Sequence, residues 1–245
     1  MTQKNGSKST APERRTRLVR RRTMSQSDMI EVYREQGVFI DDRLIILTSH
    51  TSEMSGDESG TDVLMWKQFI ANLDILYYFD RLAPITVRMN NVGGDWYHGM
   101  AIYGAILNSR APITIQGYGP IMSMGSIIMQ AGHRRLIDRN ARMMLHYGNH
   151  DCSGHPKNVE RHAEESKRIT AEMEDIYLDQ MMKKSPQISR EEMRKELVKM
   201  IEFDYFIDAR RVVSLGLADG FIPRPAPPRV RKQEQDESSS ETPSK

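Results

Sequence analysis

Gly117-Tyr118-Gly119-Pro120-Ile121-Met122-Ser123-Met124-Gly125-Ser126-Ile127-Ile128-Met129-Gln130-Ala131-Gly132 is the stretch whose reading decides the fold. Just before it, Ile113-Thr114-Ile115-Gln116 alternates in the manner of a strand. Two glycines and a proline then break the alternation, and the apolar run from Met124 to Ala131 continues as a buried helix. Ser123 falls at the strand-to-helix junction. The unsatisfied N–H groups and macrodipole of the helix favour the anion that forms when a serine oxygen attacks a carbonyl. That makes Ser123 a candidate nucleophile. Serine is also a favoured helix N-cap, so the junction alone leaves both roles open.

Upstream of this segment, Pro84 ends a helical stretch, and Ile85-Thr86-Val87-Arg88-Met89 reads as a strand leading into Gly93-Gly94. A helix follows with Met100, Tyr103 and Ile106 as its expected buried face. Strand, turn, helix, strand and helix therefore alternate from residue 85 to 131, which predicts an α/β domain with a parallel sheet. Before it, Val63, Trp66, Phe69, Ile70, Leu73, Leu76 and Tyr77 recur at spacings of three and four, the stripe of an amphipathic helix. Val38 to Leu47 holds two apolar runs around Asp41-Asp42 and predicts a strand pair or one bent strand. Thr48 to Thr61, rich in Ser, Gly, Asp and Glu, predicts a surface loop.

Downstream, Leu136-Ile137-Asp138 and Met143-Met144-Leu145 read as short strands. Lys157 to Lys184 is a long charged helix whose apolar residues Ile169, Met173, Ile176, Tyr177 and Met181 form one stripe. That stripe suits its own core or a partner subunit equally well. Ser189-Arg190-Glu191-Glu192 is a capping box, and Pro186 marks the break before it. Asp208 is placed to cap a last helix through Leu215, Gly216 to stop it, and Gly220-Phe221-Ile222 to form a final strand.

A chain of 245 residues suits one sizeable domain with tails. The boundaries expected are a disordered basic tail over 1–27, a folded domain over 28–223 and a disordered tail over 224–245. The first segment carries Lys4, Lys8 and six arginines against Glu13 alone, and it lacks the apolar residues for a core. Across the chain 35 basic residues face 33 acidic ones, which argues against a general nucleic-acid binder. The single cysteine, Cys152, excludes an internal disulfide framework and fits a reducing compartment. No apolar run reaches the length of a membrane span and no signal-peptide core opens the chain, so a cytoplasmic protein is expected.

Four segments, in order, resemble the Clp protease proteolytic subunit family, ClpP. They are Met89-Asn90-Asn91-Val92-Gly93-Gly94-Asp95 with Gly99-Met100-Ala101-Ile102-Tyr103; the Ser123-Met124-Gly125 segment ending in Ala131-Gly132; Arg142-Met143-Met144-Leu145-His146; and Glu202-Phe203-Asp204-Tyr205-Phe206 with Gly216-Leu217-Ala218-Asp219. The resemblance spans roughly residues 36–222. It implies the crotonase-like fold of repeated β-β-α units with a protruding handle helix, here the helix of residues 157–184. It also implies a serine endopeptidase with Ser123, His146 and Asp204 as the triad, in the family's chain order, and an oxyanion hole made by Gly93 or Gly94 with the N–H of Met124.

A serine hydroxyl needs a base within hydrogen-bond reach and a third group to orient that base, and a Gly-Gly turn lets backbone donors approach without a Cβ in the way. Ser123 and His146 stand 23 residues apart, a shorter interval than the family pattern, with the shortening expected in the Gly132–Arg135 turn. Asp95 stands where the family commonly has Ser. Pointing inward it would repel an oxyanion; as a helix N-cap it would face the helix amides. Tyr147-Gly148 replaces a common Gln-Pro.

The resemblance further implies a homo-oligomer of heptameric rings stacked in pairs, protein or peptide substrates, and an AAA+ unfoldase ATPase as partner. The chain has no Walker-type phosphate loop, and no cofactor is expected. His150, Asp151, Cys152 and His155 match no standard zinc spacing, so no metal is expected there; His50, His98, His133 and His162 read as surface or structural residues. Three other readings stand beside the peptidase. One is a same-fold protease for capsid maturation or membrane peptides, another is a crotonase-fold acyl-CoA enzyme, and the last is an inert ring subunit. A crotonase-type acyl-CoA enzyme would not need Ser, His and Asp together, and an inert ring would need none of them.

Overall fold

Aliphatic alternation in the chain becomes a sheet whose strands bury every second residue. In a computed structural model that describes residues 24–49, 59–148 and 152–224, β3 (Ile85–Asn91) buries Ile85, Val87, Met89 and Asn91 and leaves Arg88 exposed. It lies between β2 (Leu44–Thr48) and β4 (Ile113–Met122), parallel to both. β1 (Val38–Phe39) pairs antiparallel with β2, so the Asp41-Asp42 break separates two strands. The path continues from β4 through β5 (Arg134–Ile137) to β8 (Gly220–Phe221), again parallel. β6 (Arg142–Leu145) and β7 (Tyr205–Asp208) branch off β4 as an antiparallel pair. The result is a mixed α/β fold with a mostly parallel sheet, in keeping with the ClpP-like fold.

The glycines after Gln116 do not end the strand as the sequence reading expected. β4 runs through them to Met122, and the irregularity is taken up as a register shift against β3 between Met89 and Asn91. A bulge tolerates Pro120, which has no N–H to give. Thr114 to Gly117 pair with β5, whereas Pro120 to Met122 pair with β6. The same strand thus serves two neighbours in succession.

Helices cover the sheet. α2 (Val63–Phe79) is capped by Asp62, and its buried face is Met65, Phe69, Asn72, Leu73 and Leu76; Val63 is exposed, so the stripe is rotated slightly from the one expected. α3 (Trp96–Leu107) buries Gly99, Ile102 and Ile106, while Met100 and Tyr103 are only half-buried. Gly99 lets that face come inward because the Met124 side chain occupies the place a Cβ would take. α4 (Met124–Gln130) is buried throughout. α1 (Gln26–Gln36) was not anticipated: it buries no residue and so shows no apolar stripe, although Ser25 and Asp28 form a capping box at its start. It begins two residues before the expected domain boundary.

α5 (Pro156–Lys184) is the long helix, exposed over residues 156–164. Its apolar stripe does not remain open for a partner. Met173, Ile176, Tyr177, Leu178 and Met181 are buried in the subunit's own core, and Ile169 alone is left half-covered. α6 (Arg190–Ile201), opened by the Ser189–Glu192 capping box, packs on it, with Arg190 bridging Asp175 and Asp179. α7 (Ala209–Leu215) is capped by Asp208 and ended by Gly216 in the left-handed region. The expected loop over 48–61 lies mostly outside the described residues, as do the tails apart from Met24 to Ser27 and Arg224, and His50, His150 and Asp151.

Arg135, 6% exposed, fastens the α4–β5 connection to the last turn. Its guanidinium reaches Asp219 at 2.5 Å and Gln130 at 2.9 Å, and its N–H donates to Asp219. Burial by itself pushes the Asp219 carboxyl up, but hydrogen bonds from Arg135 and its charge more than reverse this, and the carboxyl is held below its ordinary value. A lowered carboxyl contributes stability that is complete above the unfolded-chain value of about 4 and is lost as pH falls through the folded-state value. Asp219→Asn is therefore expected to lower the melting temperature at neutral pH and to flatten its decline between about pH 5 and pH 3; a parallel decline in both proteins, followed by calorimetry, would count against the pair.

Candidate active site

Strand register brings three distant residues to one point. β6 lies beside the end of β4 with Met122 opposite Met144, and the Ser123 N–H extends the ladder by donating to the Met144 carbonyl at 2.9 Å. β7 lies on the other side of β6 with Tyr205 opposite Leu145, so one further step on each strand sets Asp204 beside His146. His146 Nε2 is 2.7 Å from Ser123 Oγ, and its Nδ1 is 3.1 Å from Asp204 Oδ1. A neutral imidazole carrying its proton on Nδ1 satisfies both contacts, donating to the carboxylate and accepting from the hydroxyl.

Ser123 does not cap the helix. Its side chain makes no capping bond with α4, and its backbone has φ 50° and ψ −123°, on the side of the map that glycine ordinarily occupies. A non-glycine residue held there costs about 1–3 kcal/mol and persists only where the surroundings over-determine it. The constraint turns the hydroxyl away from the helix amides toward His146. Gly93 leaves room for this turn, since a Cβ there would lie 2.5 Å from the Ser123 Cβ.

The expected oxyanion hole draws on the N–H of Met124 with that of Gly93 or Gly94. Met124 opens α4, so its N–H has no acceptor within the helix. Of the two glycines, Gly93 is already engaged, its N–H donating to Asn91 Oδ1 at 2.7 Å. The Gly93 carbonyl accepts from the Thr61 N–H, and because the two ends of a trans peptide point in opposite directions the Gly94 N–H is aimed away from Thr61. Asn91 is fully buried and also bonds Thr61 Oγ1 at 2.9 Å, fixing the turn from below. Asp95 caps α3 by accepting from the His98 N–H at 2.8 Å, so its carboxylate is committed to the helix amides.

The site opens into a groove of ≈ 740 Å³ between α5 and the start of α3. Met124, Ile127, Ile169 and Met173 give it an apolar lining, to which Trp96 and Tyr97 also contribute. His162, expected to be a surface or structural residue, lines this groove, as does Cys152. His133 is structural, accepting from the Ile113 N–H at 3.2 Å, and His98 lies against Trp66. Tyr147, next to His146, donates to Glu174 at 3.0 Å, and Glu174 also pairs with Arg194. Burial, then the hydrogen bond to Glu174 and its charge, pushes the Tyr147 phenol up to about 12, so it remains a donor at neutral pH.

Among the described residues, no three His, Cys, Asp or Glu side chains are grouped so that they could hold a metal ion. His155 caps α5, accepting from the Lys157 N–H. No helix among the described residues is long and apolar enough to cross a membrane. Sequence reasoning missed Asn91, Ser126, Glu174 and Tyr177 as supports of the site. Each is a polar group in an otherwise buried setting, and that was the signal available: such a group needs a partner.

The family model for Clp protease matches residues 26–225. A relative from Deinococcus radiodurans, named ATP-dependent Clp protease proteolytic subunit, is 29% identical over 160 residues, covering 64% of this chain and 74% of its own. With a matching family model that extends from the first helix past the last strand, the chain belongs to the Clp protease family.

Proposed function

We propose that this chain is a serine endopeptidase in which Ser123 is the nucleophile, His146 the general base and then acid, and Asp204 the group that orients it. The observation that carries the reading is the continuous contact from Ser123 Oγ through the imidazole to Asp204, at 2.7 and 3.1 Å. As Oγ attacks the scissile carbonyl, its proton passes to Nε2, and Asp204 stabilises the imidazolium. The tetrahedral oxygen receives the N–H groups of Gly94 and Met124. Nε2 next protonates the leaving amine, and the acyl-enzyme on Ser123 is hydrolysed by a water that His146 deprotonates. No cofactor or metal has a part in this sequence.

Substrates are peptides and unfolded proteins, bound along the groove between α5 and the start of α3. Met124, Ile127, Ile169 and Met173 supply apolar contact there. The relative's name describes an ATP-dependent protease, and with no phosphate loop in this chain the energy for unfolding is assigned to a separate AAA+ unfoldase. A cytoplasmic setting accords with the single cysteine.

Assembly into rings, heptameric and stacked in pairs by family resemblance, is supported by an edge that the described residues leave uncovered. Among the described residues β7 pairs only with β6, and beside Asp204 the rings of Phe203 and Phe206 are 80% and 59% exposed. An unpaired strand edge bearing exposed aromatics needs a covering surface, and a second copy of the chain would provide it next to the triad.

Two measurements test these readings. Ser123→Ala and His146→Ala should each abolish nearly all hydrolysis of a fluorogenic peptide, and the double variant should lose little more, because the two act as one unit; Asp204→Asn should lower turnover by about 10⁴-fold with the fold intact. Losses that multiply would reject the shared role. Light scattering should find a particle several times the 28.2 kDa chain, reduced in mass by Phe203→Asp with Phe206→Asp. A monomeric wild-type protein would be decisive against the ring.

A further inference from the structure

The Met124 N–H belongs to the same planar peptide unit as the Ser123 carbonyl, and in a trans peptide the two point in opposite directions. Whatever holds that carbonyl therefore aims that donor. Three bonds converge on the Ser123 oxygen: the N–H of Ser126 at 2.9 Å, the N–H of Ile127 at 3.4 Å, and the side-chain hydroxyl of Ser126 at 2.6 Å. The backbone pair is what any helix start provides. The hydroxyl is a third donor, supplied by a side chain and not by the helix backbone.

Ser126 Oγ is also 2.6 Å from the phenol oxygen of Tyr177. A serine has one hydroxyl proton, and here the carbonyl of Ser123 takes it, since a carbonyl can only accept. Tyr177 must then be the donor to Ser126. The order is fixed as Tyr177 O–H to Ser126 O–H to Ser123 C=O, a one-way chain running from α5 to the peptide that opens α4. Both side chains are buried, Ser126 at 0% and Tyr177 at 1% exposure, so water cannot replace either bond. Burial raises the phenol above its ordinary value, so it stays protonated at any working pH. Gln130 holds the far side of Ser126, donating to its carbonyl at 2.9 Å.

We propose that Ser126 and Tyr177 are positioning residues for peptide hydrolysis, a relay that aims the Met124 N–H at the tetrahedral oxygen and strengthens it as a donor. Strengthening follows from cooperativity: a carbonyl that accepts a hydrogen bond polarises the N–H of its own peptide unit. Aim matters because Ser123 sits at φ 50°, a conformation from which the peptide relaxes if nothing holds it. The relay also explains why a serine stands in the run Ser126-Ile127-Ile128-Met129 and a tyrosine in the stripe Ile176-Tyr177-Leu178. Tyr177 is one helical turn beyond Met173, which lines the groove, so one helix carries both a wall of the substrate site and the first donor of the relay.

This inference rests on the peptidase reading, and the test separates the two. The full-length protein is compared with Tyr177→Phe, Ser126→Ala and the double variant, using a fluorogenic peptide for kcat and KM. A peptide aldehyde serves as the second probe, because its adduct with Ser123 places an oxyanion at the Met124 N–H. Removing an oxyanion donor outright costs about 10²–10³ in kcat, and a donor left in place but mis-aimed should lose part of that, about 10-fold, for Ser126→Ala. KM should change by less than about twofold, and aldehyde affinity should fall in step with kcat. Tyr177→Phe should show a smaller loss of the same kind, and the double variant no more than Ser126→Ala, because both act through one chain of bonds.

Unchanged kcat and aldehyde affinity in folded Ser126→Ala overturn the relay, as does a loss confined to KM. If Ser126→Ala lowers the melting temperature enough to cloud its kinetics, Tyr177→Phe, which removes a single oxygen, decides by the same two readouts. Wild-type protein that fails to form a fluorophosphonate adduct on Ser123 overturns the peptidase reading instead.

Discussion

The pairing of β4 with two neighbours along its length is the constraint on which the site depends. Had the strand ended at Gly117, β6 would have no edge on which to lie beside Ser123, and His146 would not follow. Because β7 takes its own register from β6, Asp204 is placed by the same strand at one remove. The bulge at Gly117–Pro120 is therefore more than a tolerated defect. It changes which partner β4 offers its edge to, within the span of four residues.

Ser123 concentrates the cost of that arrangement. Its backbone is held in a disfavoured region by the ladder bond to Met144 on one side and by α4 on the other. Close packing keeps it there: a Cβ on Gly125 would lie 2.6 Å from the Asn91 carbonyl, so the first turn of α4 sits directly on the end of β3. Asn91 in turn ties the Gly93 N–H and Thr61. Ser123, the glycine turn and the buried amide form one tied unit, the kind of rigidity that preorganised donors require.

α5 reaches this unit from outside the sheet. Its exposed first turns project from the body, while from Met173 onward it is core. Glu174 contacts Tyr147 beside the histidine, and Tyr177 contacts Ser126 behind the serine. The helix thus reaches both sides of the Ser123–His146 contact, through a part-buried hydrogen bond beside the histidine and a buried one behind the serine.

By itself the sequence determined the α/β alternation from residue 85 to 131, the caps at Ser189 and Asp208, the segments that identify the family, and the candidates Ser123, His146 and Asp204. These are local signals: a period, a cap, a short run of residue types. It misjudged the end of β4, because glycine and proline mark a bulge as readily as a strand end, and only a neighbouring strand tells them apart. It also left open which face the α5 stripe served, and gave no stripe for α1, which buries nothing. Only the tertiary structure showed that the Gly93 N–H is engaged, since this turns on where the Asn91 side chain points. The bond between Ser126 and Tyr177 was equally invisible, for it joins residues 51 apart. A hydrogen bond is specified by distance and direction in space, and a linear sequence of residue types carries neither.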